Sequence, residues 1–145
     1  MLNVVWGVLD KVRNAARKRR WHPNHAFGRR GEDLAHRRLR SLGYTVVARN
    51  YRTNTGSGEV DLIAWEGGTL VFVEVKARRD DEFGTPDRAV DRDKRRRLIK
   101  AARTYVAKTA VDWQMVRFDV VSIVDGPRPE ITVIRDAFPT RLAMT

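Results

Sequence analysis

Two apolar segments joined by a pair of glycines form the clearest pattern in the sequence. Gly67-Gly68 is a strong signal for a two-residue β-hairpin loop, and we predict strands at about Glu59–Trp65 and Thr69–Arg78 on either side of it. Pairing about that loop brings apolar residues opposite one another on one face, namely Val60–Val75, Leu62–Val73 and Ala64–Val71. A slip of one residue would turn this set to the other face, so the polarity pattern and the turn predict the same register.

The rest of the pattern predicts helices and strands around this hairpin. Helical periodicity indicates a first helix from Phe27 to about Leu42, stopped by Gly43, and a second helix over about Ala89–Lys108. Runs rich in β-branched and aromatic residues predict three more strands, at Tyr44–Tyr51, Met115–Val124 and Glu130–Ile134. This order of elements indicates an α/β fold, with a sheet of about five strands and helices on its faces.

Each predicted helix has one apolar face. In the first helix Ala35, Leu39 and Leu42 fall along one stripe, with Glu32 at its edge. Glu32 has two explanations: a favourable negative charge in the first turn of the helix, or a carboxylate that points toward the hairpin. We also expect Asp136-Ala137-Phe138 to pack back on the domain. The predicted buried face of the second helix consists of Leu98, Ala101, Ala102, Tyr105 and Val106.

The composition indicates one basic domain. The chain has 145 residues, a formal charge of +11 and a pI near 11.0. We predict a single domain over 26–140, a basic N-terminal extension over 1–25 and a short tail over 141–145. The absence of cysteine excludes disulfides, thiolate metal sites and thiol nucleophiles. No apolar run approaches the roughly 18–20 residues that cross a bilayer, and we expect a cytoplasmic protein.

The positive charge indicates a polyanionic partner, with nucleic acid first and an anionic membrane surface second. A run of basic residues on the second helix is either a solvated face or a phosphate-tracking surface beside the hairpin, and we expect the latter, for DNA rather than RNA. The predicted nucleic-acid contacts are Arg92, Lys94, Arg95, Arg96, Lys100 and Arg103.

Residues 1–25 combine a short apolar helical pattern with a following run of basic residues, and Pro23 is expected to break any helix there. A basic amphipathic helix can contact a membrane surface or nucleic acid. An optional N-terminal helix with neither role is the alternative.

The polar face of the hairpin is its unusual feature. The same register that pairs the apolar residues places Asp61 opposite Glu74 and Glu59 opposite Lys76. Two carboxylates directly across a ladder repel each other, whereas a cation between them would make the arrangement favourable. These four charges can also simply face water on a half-exposed sheet. Their clustering at the end away from the turn favours a functional site.

Carboxylate oxygens of this kind suit Mg²⁺ or Mn²⁺, which proteins commonly hold with one or two carboxylates while waters and a substrate phosphate complete the shell. We therefore predict Asp61 and Glu74 as metal ligands. Lys76 can orient a water, act as a base if its pKa is depressed, or stabilise developing negative charge, and the sequence does not choose among these roles. Glu59 can hold Lys76 in place, and Glu32 can supply a further carboxylate.

The pattern Asp61…Glu74-x-Lys76, following a helix with Glu32, resembles the (D)…(D/E)xK signature of the restriction-endonuclease-like (PD-(D/E)xK) nuclease superfamily. Within it, the chain is similar to the YraN-like family of small bacterial proteins, over roughly Gly28–Phe138. The segments that carry this resemblance are Gly28–Ala35, Gly58–Ala64, Val71–Arg78, Phe83-Gly84, the helix around Lys94 to Tyr105, and Phe118–Val121.

The resemblance implies a restriction-endonuclease-like mixed sheet flanked by helices. It also implies a divalent-metal nuclease site at Asp61, Glu74 and Lys76, acting on DNA, with branched or structured DNA as a candidate substrate. Many nucleases of this type act as dimers, so a homodimer is compatible with it. A non-catalytic nucleic-acid-binding protein with the same fold is the alternative.

Overall fold

The computed structural model describes residues 23–79 and 88–140, with side chains described over 28–79 and 92–140. The helices of this part are α1 (Pro23–Ser41) and α2 (Arg88–Thr109). The strands are β1 (Thr45–Arg52), β2 (Glu59–Glu66), β3 (Thr69–Arg79), β4 (Val116–Asp125) and β5 (Glu130–Ile134), and a turn of 3-10 helix (Trp113–Met115) precedes β4. The predictions for residues 1–22 and for the tail over 141–145 lie outside the described residues.

The five strands form one mixed sheet in the order β1-β2-β3-β4-β5. Strands β3 and β4 run parallel, with α2 as the crossover between them, and the other neighbouring pairs are antiparallel. The predicted hairpin register is confirmed from Leu62–Val73 to Glu66–Thr69. Gly67 takes a φ of 57°, a left-handed conformation that a tight two-residue turn requires and glycine adopts without strain. The predicted α/β fold is thereby confirmed.

One helix covers each face of the sheet. Helix α1 buries Ala35 and Leu39 against Leu62, Val73 and other residues of one face. Helix α2 covers the opposite face, where its predicted buried residues meet Phe72 and Phe118. Leu98, Ala101, Ala102 and Val106 are buried as predicted, and Tyr105 is partly buried. Both faces of β3 therefore lie in the protein interior.

The predicted start of α1 at Phe27 and the predicted burial of Leu42 are both wrong. The helix begins at Pro23, because a proline in the first turn loses no helical hydrogen bond. Glu32 consequently lies near the middle of α1, so a first-turn position cannot explain its charge. Leu42 is 40% exposed rather than buried, since α1 ends at Ser41 and the chain reverses at Gly43, whose φ is 94°.

Glycines set the distance between each helix and the sheet. A Cβ on Gly31 of α1 would lie 2.8 Å from the Cβ of Ala77 on β3. A Cβ on Gly58, just before β2, would lie 2.8 Å from the backbone nitrogen of Ala101 and 3.1 Å from the carbonyl oxygen of Arg97. The backbone at the start of β2 therefore packs directly on the backbone of α2, which positions the helix over this end of the strand.

Gly58→Ala is expected to lower the free energy of unfolding by about 1–3 kcal/mol, because helix backbone cannot move aside as a flexible side chain can. Urea unfolding followed by circular dichroism measures the change. Gly68→Ala is the matched control, since among the described residues its Cβ would meet Met115 Cε at an ordinary contact distance of 3.7 Å, and it should change stability by less than about 0.5 kcal/mol. Equal effects of the two substitutions would contradict this packing argument.

The segment after β5 packs back on β4 as predicted. The Ala137 N–H donates to the carbonyl oxygen of Phe118 at 2.8 Å, and the Phe138 ring stacks on the Phe118 ring with centroids 4.9 Å apart. The Asp136 N–H donates to Asp119 Oδ1 at 3.0 Å. These contacts close the α2 side of the core.

A network of charged groups lies at the end of the sheet near the hairpin turn. Asp119, which is fully buried, accepts hydrogen bonds from the Tyr44 hydroxyl and from two nitrogens of Arg117, each at 2.8 Å. Arg117 also donates to Glu66 Oε1 at 2.7 Å, and Arg135 donates to Glu66 Oε2 at 2.8 Å. Burial and the bond to Asp119 raise the pKa of Tyr44. The hydrogen bonds from Arg135 and Arg117 lower the pKa of Glu66 from 4.5 to about 2.

Stability is expected to fall as the pH drops from about 4.5 to about 2, because Glu66 binds a proton more readily in the unfolded chain than in the folded one. The contribution of Glu66 is fully present above the unfolded pKa and is lost as the pH falls through the folded pKa. Urea unfolding at a series of acidic pH values tests this. Glu66→Gln should show a shallower dependence over that window, and identical slopes would contradict the assignment.

Candidate functional site

Strands β2 and β3 separate beyond the hairpin ladder. Their pairing stops at Leu62–Val73, while β2 continues beside β1 to Glu59 and β3 continues beside β4 to Arg79. The predicted cross-strand pairs Asp61–Glu74, Glu59–Lys76 and Val60–Val75 are therefore wrong as ladder pairs. A gap opens between the two strands where two carboxylates would otherwise stand face to face.

Asp61 lies at the point of separation. Its Oδ2 accepts the backbone N–H of Val75 at 2.8 Å, and the residue is 3% exposed. In the continued ladder that N–H would pair with the backbone of Val60, so the side chain takes the place of a backbone acceptor. The alternation of β2 also changes here, since Val60 packs in the α2-side core while Leu62 packs in the α1-side core. The Asp61 side chain therefore occupies the hydrogen-bonding position at which the β2–β3 ladder stops.

Glu74 and Lys76 lie on the face of β3 that α2 covers, because they alternate with Val73 and Val75, which belong to the α1-side core. Glu74 is fully buried and Lys76 is 2% exposed. Glu59 and Asp61 are also buried, so the alternative that these four charges simply face water is wrong. Buried charges are costly unless other charges or hydrogen bonds compensate them, which marks the gap as a specialised region of the sheet.

Lys94 of α2 reaches into this group. Its Nζ lies 3.3 Å from Glu74 Oε1 and 3.7 Å from Glu59 Oε1, and its side chain is 3% exposed. Arg52 of β1 approaches Glu59 from the surface, with its Nε 3.6 Å from Glu59 Oε2. The structure therefore brings Glu59, Glu74 and Lys94 together in one buried region, next to which β2 carries Asp61 and β3 carries Lys76, both also buried. Lys94 is therefore not on the exposed basic face of α2 that the sequence predicts for it.

A signal for this position of Lys94 exists in the sequence. Lys94 lies four residues before Leu98 and seven before Ala101, both on the buried face of α2. A lysine in the apolar stripe of a helix has to find a partner inside the protein. The surrounding run of exposed basic residues obscures that signal.

Glu32 is carried by α1, on the opposite face of the sheet from α2. Its Oε2 lies 3.8 Å from Arg49 Nη2, and the same nitrogen lies 2.7 Å from Asp33 Oδ1. Arg49 on β1 thus links the two acids of α1 to the edge strand. The role of Glu32 as a further carboxylate of the site stays a prediction.

Four of the six predicted nucleic-acid contacts form an exposed stripe along α2. Arg95, by contrast, is partly buried, with its guanidinium carbon 5.3 Å from the centroid of the Phe138 ring. The stripe has the spacing of one helical face. Its members are Arg92, Arg96, Lys100 and Arg103.

Carboxylates of the gap already face a positive charge. Glu59 and Glu74 already direct oxygens toward one positive group, the ammonium of Lys94. Among the side chains described, those of residues 28–79 and 92–140, no group of three or more His, Asp or Glu residues forms a preassembled metal site. Proteins commonly hold Mg²⁺ or Mn²⁺ with one or two carboxylates while waters and substrate oxygens complete the shell, and carboxylates are the groups that this region could offer such an ion.

Neither described helix is long and apolar enough to span a membrane.

Comparison with other proteins places the chain in a family. Residues 31–123, which include the hairpin and α2, match the uncharacterised protein family UPF0102. A UPF0102 protein of Solibacter usitatus is 55% identical over 132 residues, which cover 91% of this chain and 98% of that relative. A UPF0102 protein of Koribacter versatilis is 47% identical over 118 residues, covering 80% of this chain and 82% of the relative. A UPF0102 protein of Rhodococcus opacus is 49% identical over 117 residues, which cover 79% of this chain and 98% of that relative. The chain therefore belongs to the uncharacterised protein family UPF0102, the YraN-like family that its motifs indicate.

Proposed function

We propose that this protein is a divalent-metal-dependent nuclease that hydrolyses phosphodiester bonds in DNA, with branched or structured DNA as its first candidate substrate. The observation that carries the proposal is the separation of β2 and β3 at Asp61, beside buried Glu74 and Lys76. Structural stability alone gives no reason to bury these charges where a ladder would otherwise continue, since apolar residues would serve it better. The motif Asp61…Glu74-x-Lys76 supports a restriction-endonuclease-like assignment.

In this proposal Asp61 and Glu74 hold the metal. The bound ion would polarise the phosphodiester and lower the pKa of a bound water. The Val75 N–H bond fixes the orientation of the Asp61 carboxylate before any ligand arrives. Lys76, on the same face as Glu74, orients the attacking water or stabilises the negative charge that develops on the phosphate.

Substrate binding falls to the exposed basic stripe of α2, formed by Arg92, Arg96, Lys100 and Arg103. These side chains can neutralise successive phosphates without reading base sequence. The formal charge of +11 strengthens the attraction of the whole molecule to a polyanion. Affinity for DNA should accordingly fall steeply with salt.

A non-catalytic DNA-binding protein with the same fold is the second candidate. The observation that favours it is Lys94, because an internal ammonium group already neutralises part of the carboxylate charge. On this alternative the basic stripe still binds nucleic acid, while the buried charges have only a structural role.

A cleavage screen separates the two functions. Purified protein is incubated with branched, flapped, single-stranded and linear duplex DNA, and with RNA, in Mg²⁺, in Mn²⁺ and in chelator. Cleavage in metal but not in chelator is expected for the nuclease. Salt-dependent binding without cleavage of any substrate supports the non-catalytic candidate, and equal cleavage in chelator and in Mg²⁺ would rule out the metal-dependent mechanism.

A further inference from the structure

Lys94 carries a buried positive charge that the proposed cleavage reaction does not use. Its side chain is 3% exposed, and lysine is almost never buried to this extent unless it is paired. Its ammonium group contacts acids from two different strands, Glu59 at the start of β2 and Glu74 on β3. Lys94 therefore bridges the gap that opens between these strands.

The position of that ammonium group conflicts with metal binding at Glu74. An Mg²⁺ ion lies about 2.0–2.1 Å from its oxygen ligands, whereas Lys94 Nζ lies 3.3 Å from Glu74 Oε1. A metal ligated by the same oxygen would be a close neighbour of Nζ. Two positive charges at such a separation repel strongly inside a protein, where water screens them poorly.

We propose that Lys94 occupies the cation position in the metal-free protein, and that a divalent ion binds Glu74 only when the Lys94 ammonium group moves away. The inference rests on the proposed function, which assigns Glu74 as a metal ligand. Lys94 compensates the buried carboxylates before the metal arrives, so it stabilises the metal-free fold and weakens metal affinity. Its effect on the reaction is exerted through Glu74 and Glu59, which makes it a positioning residue.

Lys94→Met tests the proposal, since methionine keeps an unbranched side chain and removes the charge. Mn²⁺ titration, followed by electron paramagnetic resonance of the free ion, should show affinity at least about tenfold tighter than in the wild type. The variant should also show a lower melting temperature without metal and a larger rise on adding Mn²⁺, because the metal then supplies the missing positive charge. Lys108→Met is the matched control, an exposed lysine on the same helix, and should leave Mn²⁺ affinity unchanged.

The outcomes separate this inference from the nuclease itself. Unchanged or weaker Mn²⁺ affinity in Lys94→Met, with a wild type that cleaves DNA, overturns the role of Lys94 and leaves the nuclease standing. Tighter Mn²⁺ affinity in a protein that cleaves no substrate supports the role of Lys94 alone. No Mn²⁺ binding by either protein overturns both. If Lys94→Met does not fold without metal, recovery of its fold by Mn²⁺ supports the proposal, and failure to recover overturns it.

Discussion

Asp61→Asn is expected to lower metal-dependent DNA cleavage by at least about 100-fold, because a metal ligand contributes several kcal/mol to the transition state. The substitution is conservative at this position. The amide oxygen of asparagine can still accept the Val75 N–H that Asp61 Oδ2 accepts at 2.8 Å, so the end of the hairpin ladder is retained. The negative charge that would hold the metal is lost. Initial rates on the best substrate of the cleavage screen, at saturating Mg²⁺, measure the effect.

The control for Asp61→Asn is a variant that loses one carboxylate charge outside the candidate site. Asp112→Asn is suitable, because Asp112 is exposed and caps the 3-10 helix by accepting the Gln114 N–H, which asparagine also can do. This control should cleave at the wild-type rate. DNA binding by Asp61→Asn, measured by fluorescence anisotropy in chelator, should remain close to that of the wild type. Retention of a third or more of the cleavage rate by Asp61→Asn would remove Asp61 from the metal site.

The hairpin shows how far the sequence predicts this protein. The glycine turn and the alternation of apolar residues are two independent signals, and both require the register that the structure has up to Leu62–Val73. The position at which the β2–β3 ladder ends, by contrast, does not follow from the sequence. Asp61 competes with the Val60 backbone for the Val75 N–H, and no polarity pattern reports which acceptor prevails. The residues of the candidate site were thus identifiable, while the gap that gathers them was not.

Two further features are settled by distances between elements. The spacing of Lys94 from Leu98 places it in the apolar stripe of α2, but the surrounding basic run obscures that signal, and the rotation of α2 on the sheet turns the side chain inward. That rotation depends on Gly58, whose missing side chain lets the backbone at the start of β2 reach Ala101 and Arg97. A glycine in a polar loop is typical of flexibility, and only the packed helix reveals that this one is a contact surface.

Asp119→Ala is expected to cause the largest loss of stability, about 3–5 kcal/mol in the free energy of unfolding. Asp119 is fully buried and receives hydrogen bonds from the Tyr44 hydroxyl, the Arg117 guanidinium and the Asp136 N–H. Alanine would leave these donors without their acceptor, and the positive charge of Arg117 would lose one of its two carboxylate partners. Since the free energy of unfolding of a small domain is only about 5–15 kcal/mol, this loss would be a large fraction of the stability of the protein. Guanidinium chloride unfolding measures it.

Asp125→Asn, on the same strand, distinguishes this network from an ordinary surface ion pair. Asp125 Oδ2 lies 3.4 Å from Arg30 Nε, and the Arg30 side chain is 58% exposed, so solvent screens the interaction. Loss of that charge should change stability by less than about 1 kcal/mol. If Asp119→Ala also lowered the free energy of unfolding by less than about 1 kcal/mol, the cluster of Tyr44, Arg117 and Asp119 would not be what stabilises the end of the sheet near the hairpin turn.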